Sequence, residues 1–298
     1  MRCLIGGLQY TFKMFDDFTV ENGATSIGLT KELAIKWAEK RPNESDVTRY
    51  KRVNTIINFS IYLNQLGYES YIPRQLKSYK TTFTPFIFSK EELESFFHAC
   101  ETIEIKGDTT IRQILPVVFR LIYGCGLRVS EALNLKCEDV NLDEGYIIVR
   151  ETKNGCDRVL PLSDSLKNVC FQYKKYCLSK QIPSDYFFPQ KYNKKYASNT
   201  IYRWFRRILW EAGIPHGGRG MGPRVHDLRH TFSVHSLAET SRKGLDLYYS
   251  LPILSKYLGH SSLEATDKYV RLTSDMYPEL IQEVNSLCSY LFPEVKLP

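Results

Sequence analysis

Along residues 47–66 the apolar positions Val53, Ile56, Ile57, Ile61, Leu63 and Leu66 return at steps of three and four, with Ser60 among them, and Gly67 follows. That period predicts an amphipathic helix ended by a glycine. Upstream, Thr30 is placed as an N-cap before Leu33, Ile35, Trp37 and Ala38, and Pro42 closes the segment. Residues 1–72 therefore read as a wholly helical domain. Residues 73–88 carry two prolines and little period, so they predict a linker. Ser89, with Glu92 three residues on, forms a capping box that opens a second domain over residues 89–298. A helix is expected over residues 112–123, broken at Gly124-Cys125-Gly126. The period then changes to two. Residues 145–151 and 158–162 flank Lys153-Asn154-Gly155, and Asn-Gly is a strong hairpin signal. Helical patterns resume over residues 164–180, 198–211, 227–239, 254–258 and 263–270. A last amphipathic segment, residues 278–291, places Leu280, Ile281, Val284, Leu287 and Leu291 on one side. The fold class is mainly α with a small β-hairpin sheet (α+β).

The composition narrows this little. With 43% hydrophobic and 24% charged residues in 298, wholesale disorder is excluded. The most apolar run, residues 114–127, is interrupted by Arg120 and too short to span a bilayer, and no signal-peptide core opens the chain. A soluble, cytoplasmic protein is expected. None of the eight cysteines forms a C-x-x-C pair, so reduced thiols are expected rather than zinc sites or disulfides.

The net charge of +7 matters less than its distribution. Lys191, Lys194, Lys195, Arg203, Arg206 and Arg207 lie in residues 187–210 without one acidic residue, interleaved with Tyr192, Tyr196, Tyr202 and Trp204. Arg74, Lys77 and Lys80 lie in the linker, and Arg49, Lys51 and Arg52 in the helix before it. One such stripe alone is an ordinary solvated face. Several separated stripes suit a polyanion gripped from more than one side.

His226 and His230 stand four apart on one helix, the spacing of two metal ligands. The hydrolytic zinc pattern needs Glu directly after the first histidine; Asp227 is there instead, and Arg229 would repel a dication. A purely structural histidine pair is the other local reading.

The stronger signal is an order of short motifs: Gly126-Leu-Arg128-Val-Ser-Glu131, Lys153 eight residues before Pro161, His226-Asp-Leu-Arg229, Leu258-Gly259-His260-Ser, and Tyr269 nine residues after His260. In this the chain resembles the tyrosine recombinase, or phage integrase, family over about residues 10–290. The resemblance implies a two-domain, C-shaped DNA clamp, with a helical core-binding domain (residues 1–72) and a catalytic domain ending in a docking helix. It implies Tyr269 as nucleophile, with Arg128, Lys153, His226, Arg229 and His260 as catalytic residues, supported by Glu131, and no metal or other cofactor. Tyr257 and Tyr277 are weaker candidates for the nucleophile.

The chemistry is consistent with those residue types. Cutting DNA without a metal requires neutralising charge on a pentacoordinate phosphorus, which paired guanidinium donors do better than lysine. A phenol of pKa about 10 needs a proton acceptor at neutral pH, and the departing 5′ oxygen needs a proton. His226 suits the first role and Lys153 the second, with His260 bracing the phosphate. Phosphate and base contacts are expected from Arg49, Arg52, Arg74, Lys77, Lys80, Arg203, Arg206 and Arg207.

The implied partner is a double-stranded recombination site, held by a homo-tetramer that is a monomer or weak oligomer when free. An accessory directionality factor and a bacterial, phage or mobile-element origin also belong to the resemblance. Family members usually carry a further helix before the segment resembling residues 8–18, so a compact or shortened start is expected. A type IB topoisomerase, a telomere resolvase, a recombinase retired to DNA binding and a metal-dependent nuclease are the alternatives.

Overall fold

The computed structural model describes residues 2–77, 84–105, 109–150, 155, 157–178, 184–190, 192–218 and 221–277. Lys153, Lys80 and the amphipathic segment 278–291 lie outside the described residues. The chain divides into two units, residues 1–84 and 85–298, a division that falls within the expected linker. Both flanks of that stretch are packed. Leu76 lies against the core of the first unit, and Phe88 is buried in the second, where its N–H donates to Thr231 Oγ1 at 3.0 Å.

The first unit holds α1 (Arg2–Glu21), α2 (Lys31–Ala38) and α3 (Asp46–Gln65). Thr30 caps α2 and Ser45 caps α3, each accepting from the backbone N–H three residues on. Aromatic side chains fill the space between the helices. Trp37 is buried, with Phe15 edge-on at 5.0 Å between ring centres and Phe18 at 5.1 Å.

Arg52 corrects the sequence expectation that it is a DNA contact. It lies on the same inward stripe of α3 as Ile56 and Ser60 and is 6% exposed. Its Nε donates to Glu44 Oε1 and its Nη2 to Glu44 Oε2, at 2.8 and 2.9 Å, and Nη1 donates to the Trp37 carbonyl. The guanidinium also covers the Trp37 ring. Helical periodicity alone cannot distinguish a solvated arginine from one that pins two helices together.

The second unit runs α4 (Lys90–Thr102), α5 (Thr109–Gly124), α6 (Val129–Asn134), β1 (Val140–Asn141), β2 (Tyr146–Val149), β3 (Arg158–Pro161), α7 (Asp164–Tyr176), β4 (Pro189–Gln190), β5 (Lys194–Lys195), α8 (Ser198–Glu211), α9 (Val225–Arg242), α10 (Leu247–Leu258) and α11 (Glu264–Met276). The capping box at Ser89 and Glu92 forms as expected. Strands β1, β2 and β3 make an antiparallel sheet in that order, with Val149 opposite Arg158 and Tyr146 opposite Pro161.

The middle of helix α9, residues 227–234, is buried on nearly every side, by Leu228, Thr231 and Val234 among others, because α5, α10 and α11 all pack on it. The expected short helix at residues 254–258 is the end of a longer one. Asp246 caps α10, accepting from the Tyr249 N–H at 3.0 Å, and the helix passes through Pro252. No described helix is long and apolar enough to cross a membrane.

Arg52→Ala leaves Glu44 buried without its partner, a change that costs about 3–5 kcal/mol. Thermal unfolding is expected to show that loss, while the salt dependence of DNA binding stays at the wild-type slope.

Candidate active site

Glu131 is the centre of the arrangement. It is the third residue of α6, and its Oε2 accepts the backbone N–H of Arg128, the N-cap, at 2.9 Å. Its Oε1 accepts from Arg128 Nη1 at 2.6 Å. Arg158, the first residue of β3, approaches the same carboxylate with Nη2 2.7 Å from Oε2 and Nη1 3.3 Å from Oε1. Arg229 Nη1 stands 3.7 Å from Oε2. Burial alone would raise the Glu131 pKa, but the hydrogen bonds and charge of Arg158, and then Arg128, bring it down to about 2. One carboxylate thus faces three cations, and the cluster keeps an excess of positive charge.

Arg229 is 1% exposed in its side chain. Its Nη1 donates to the Gly126 carbonyl at 2.6 Å and its Nη2 to the Leu258 carbonyl at 2.7 Å. Its Nε is buried with no partner among the described residues. Desolvation, and then the charge of Arg128, lower its pKa to about 10, so it stays a cation at neutral pH. Gly126 is required twice over. Its φ is +58°, and a Cβ there would stand 2.7 Å from Phe232 Cδ1 and 2.8 Å from Leu258 Cδ2. Of the three guanidiniums, Arg128 is the most open, at 22%.

The histidines line the neighbouring side. His226 and His230, one turn apart on α9, meet edge to face at 4.6 Å between ring centres. His260 follows Gly259, whose left-handed conformation ends α10, and its Nδ1 lies 2.7 Å from Thr266 Oγ1. Desolvation, and then the charges of Arg229 and Arg128, hold His226 and His260 near a pKa of about 4. Both are neutral at physiological pH, although His226 keeps an exposed edge.

Tyr269 projects from α11 into this group and is 1% exposed. Its hydroxyl lies 2.7 Å from His230 Nδ1, and its ring stacks on His260 at 6.3 Å. Burial raises its pKa, opposed by the charge of Arg229. Lys268 Nζ stands 5.1 Å from the centre of the same ring. The two weaker tyrosine candidates lie elsewhere: Tyr257 stacks on Phe232, and Tyr277 packs beside His235 under Arg242.

The structure therefore brings together Arg128, Glu131, His226, Arg229, His260 and Tyr269 from three helices, α6, α9 and α11, and the turn after α10. His230, expected to be structural, is the direct partner of the tyrosine. Its place four residues after His226 on the same face was the available signal. Of the His226–His230 pair, His230 Nδ1 is engaged by the Tyr269 hydroxyl, and the two rings meet edge to face. Arg158 was read only as part of a strand. Its signal was alternation: Val159 faces out, so Arg158 and Leu160 face in, and an inward arginine needs an acid.

The basic side chains fall into three groups. Arg74, Lys77, Arg203 and Arg206 are exposed. Arg203 and Arg206 line one side of an open cavity of about 730 Å³, with Trp210 and His216. Arg207 is exposed but donates to the Glu104 carbonyl at 3.3 Å, and Arg49 is half-buried, its Nε on the Ala38 carbonyl at 2.7 Å.

Comparison with solved structures defines the class. The chain superposes on a crystal structure of XerA recombinase with a TM-score of 0.52, 22% identity and coverage of 99% of this chain and 94% of that one. It also matches a Tn1549 transposon integrase in complex with a circular intermediate DNA, with a TM-score of 0.65 and 16% identity over 90% of this chain and 89% of the other. The fold is that of the tyrosine recombinases. A putative integrase/recombinase, y4rB, of Sinorhizobium fredii is 30% identical over 266 residues, 86% of this chain and 82% of that protein. Tyrosine recombinase XerA of Pyrococcus furiosus is 35% identical over 188 residues, 62% of this chain and 59% of that protein. Residues 87–276 match the phage integrase family model. The chain belongs to the phage integrase family, the tyrosine-type site-specific recombinases.

The depressed histidines make stability depend on pH. Unfolded, they return to a pKa of 6.5, against about 4 for His226 and His260 and about 2 for His230 in the folded site. Between those values the unfolded chain binds more protons, so their contribution is full above 6.5 and is lost as pH falls through the folded pKa values. Glu131, at about 2 against 4.5, extends the loss below 4.5. Thermal unfolding is expected to give a lower Tm at about pH 5 than at about pH 7.5. His230→Gln is expected to flatten that slope, and a wild-type Tm constant over this range would contradict the arrangement.

Proposed function

We propose that this chain cuts and rejoins DNA strands at a specific site through a 3′-phosphotyrosyl intermediate on Tyr269, without metal or ATP. The observation that carries the reading is that Arg128 and Arg229 share the buried carboxylate of Glu131 while Tyr269 is enclosed beside His260 and His230, the partner of His226, within reach of the charge of Arg229.

In the cleavage step the Tyr269 oxygen bonds to phosphorus, the bond from phosphorus to the 5′ oxygen breaks, and the phenolic proton passes to a neutral imidazole. His226 is that acceptor in this reading, and Lys153 supplies a proton to the 5′ oxygen. Arg128 and Arg229 stabilise the charge on the non-bridging oxygens, which is the largest demand of a metal-free phosphoryl transfer. His260, oriented by Thr266, is placed to hold the phosphate. Resealing reverses the step, with a 5′ hydroxyl from the second duplex attacking the phosphotyrosine.

The burial of Tyr269 against His230 supports a resting state in which the nucleophile is held away from solvent. DNA binding then draws α11 outward until the hydroxyl reaches the phosphate. His230, 2.7 Å from the Tyr269 hydroxyl and enclosed with it, is in this reading the hydrogen-bond partner that holds the phenol in that resting position.

The basic surfaces support binding of a double-stranded recombination site, with Arg74 and Lys77 from the first unit and Arg203 and Arg206 from the second. Assembly into a tetramer on two duplexes, through segment 278–298 docking on a neighbouring copy, belongs to the same proposal. Integration or excision of a mobile element and resolution of replicons are both served by this chemistry.

The test is covalent trapping in EDTA. Wild type and Tyr269→Phe are incubated with a nicked duplex carrying the element's end, then denatured in SDS. A DNA-linked protein band is expected from wild type and not from the variant; a band from both excludes Tyr269, and a band dependent on divalent metal excludes the mechanism. Arg206→Ala is expected to weaken binding and to reduce the slope of log affinity against log salt by about 1. An unchanged slope removes Arg206 from the phosphate contacts.

A further inference from the structure

We propose that Arg158 is a positioning residue for strand cleavage: it fixes Glu131, and through Glu131 the Arg128 guanidinium, while holding the turn that carries His260. This rests on the phosphotyrosyl reading above.

Arg158 is not placed to touch DNA. Its side chain is 9% exposed, and donors on all three of its nitrogens point into the protein. The two Nη groups form a fork on Glu131, and Nε donates to the Tyr257 carbonyl at 3.0 Å. The fork removes the rotational freedom of the carboxylate. With Arg158 in place, Oε1 is directed at Arg128 Nη1 and Oε2 at the Arg128 backbone N–H. Without it, Glu131 keeps only Arg128 as a close partner, and the pair can swing together. Lysine cannot replace the fork, because an ammonium is a point charge without fixed paired donors.

The same side chain acts on α10. The last carbonyls of a helix lack intrahelical partners and carry its negative end. Here two consecutive ones are each taken by a different arginine: Tyr257 O by Arg158 and Leu258 O by Arg229. The next residue is Gly259, at φ +67°, where a Cβ would stand 3.0 Å from Arg158 Nη1 and 3.3 Å from its Cζ. The guanidinium therefore lies directly on the turn that delivers His260. Glu131 Oε2 and the end of α10 are each shared by Arg158 and Arg229, so one side chain ties β3, the start of α6 and the end of α10 into one frame.

Displacing catalytic groups by about 1 Å costs on the order of 100-fold in rate. Arg158→Met is accordingly expected to lower the single-turnover rate of covalent-complex formation, at saturating protein on the nicked duplex, by about 100-fold. The Kd from gel shift should stay within about threefold, since no phosphate contact is lost. Arg158→Lys is expected to lose about tenfold, keeping charge without the fork. The double variant Glu131→Gln/Arg158→Met should be no slower than the slower single variant, because both changes break one linkage. Thermal unfolding of every variant gives the folded fraction, to which rates are normalised.

Four results overturn the proposal: Arg158→Met cutting at the wild-type rate, a rate loss matched by the loss in Kd, Arg158→Lys equal to wild type, or losses that multiply in the double variant. Should Arg158→Met fail to fold, Arg158→Lys carries the test through its own ratio of rate loss to Kd. If wild type forms no Tyr269-linked product, the phosphotyrosyl reading and this proposal fall together; if wild type forms it and Arg158→Met matches it, only the role of Arg158 falls.

Discussion

A single carboxylate organises the catalytic unit. Three guanidiniums cannot gather within a few ångströms in a poorly hydrated pocket unless something offsets their repulsion, and Glu131 does so while leaving net positive charge behind. Like charges 4 Å apart repel by about 4 kcal/mol at the effective dielectric of a protein surface, so the acid is needed before any phosphate arrives. Its location at the start of α6 is part of the design. The carboxylate satisfies a backbone N–H at the helix entrance and orients Arg128 with its other oxygen. Asp227 repeats the device at the start of α9, where it accepts the Arg224 N–H at 2.8 Å. Arg128 is thus the N-cap of one acid-fixed helix entrance, and Arg229 is the fifth residue of the other helix, two after its capping Asp227.

Around that centre the groups are arranged by access. Arg128 and His226 keep open edges, whereas Arg229 and Tyr269 are enclosed. The hydrogen bonds that hold the enclosed pair come from backbone carbonyls and from His230, with the Glu131 carboxylate 3.7 Å from Arg229 as the charged neighbour. The neutral partners preserve geometry without cancelling the remaining positive charge. The buried Arg229 Nε is a donor with no partner among the described residues, as are Trp37 Nε1, Ser60 Oγ and His235 Nε2 elsewhere in the protein.

Much of this was legible in the chain. The helix periods, the capping box at Ser89 and the change of period at the hairpin all correspond to elements of the structure. The motif order singled out most of the residues that meet at Glu131. The misses have physical reasons. Arg52 looked like surface charge because a basic residue on an amphipathic helix usually is; only the inward register with Ile56 and the acid at Glu44 mark it as internal. The pattern over residues 254–258 marked only the end of α10, which runs from Leu247 through Pro252 while packed on α9 and α11. His230 and Arg158 act through partners 39 and 27 residues away, and no local pattern reports such a pairing.

The nearly all-round burial of the middle of α9 has an evolutionary side. On an ordinary surface helix, one face can drift to retune affinity or solubility while the other keeps the core intact. Here Asp227, Leu228, Arg229, His230 and Thr231 are all buried, and polar side chains of the candidate site alternate with packing groups. A change to one of those polar side chains also disturbs the packing, and a change in packing shifts the polar groups. Diversification among descendants of such a chain is thereby channelled away from α9, toward exposed elements such as α8, where Arg203, Arg206 and Trp210 can vary without affecting the core.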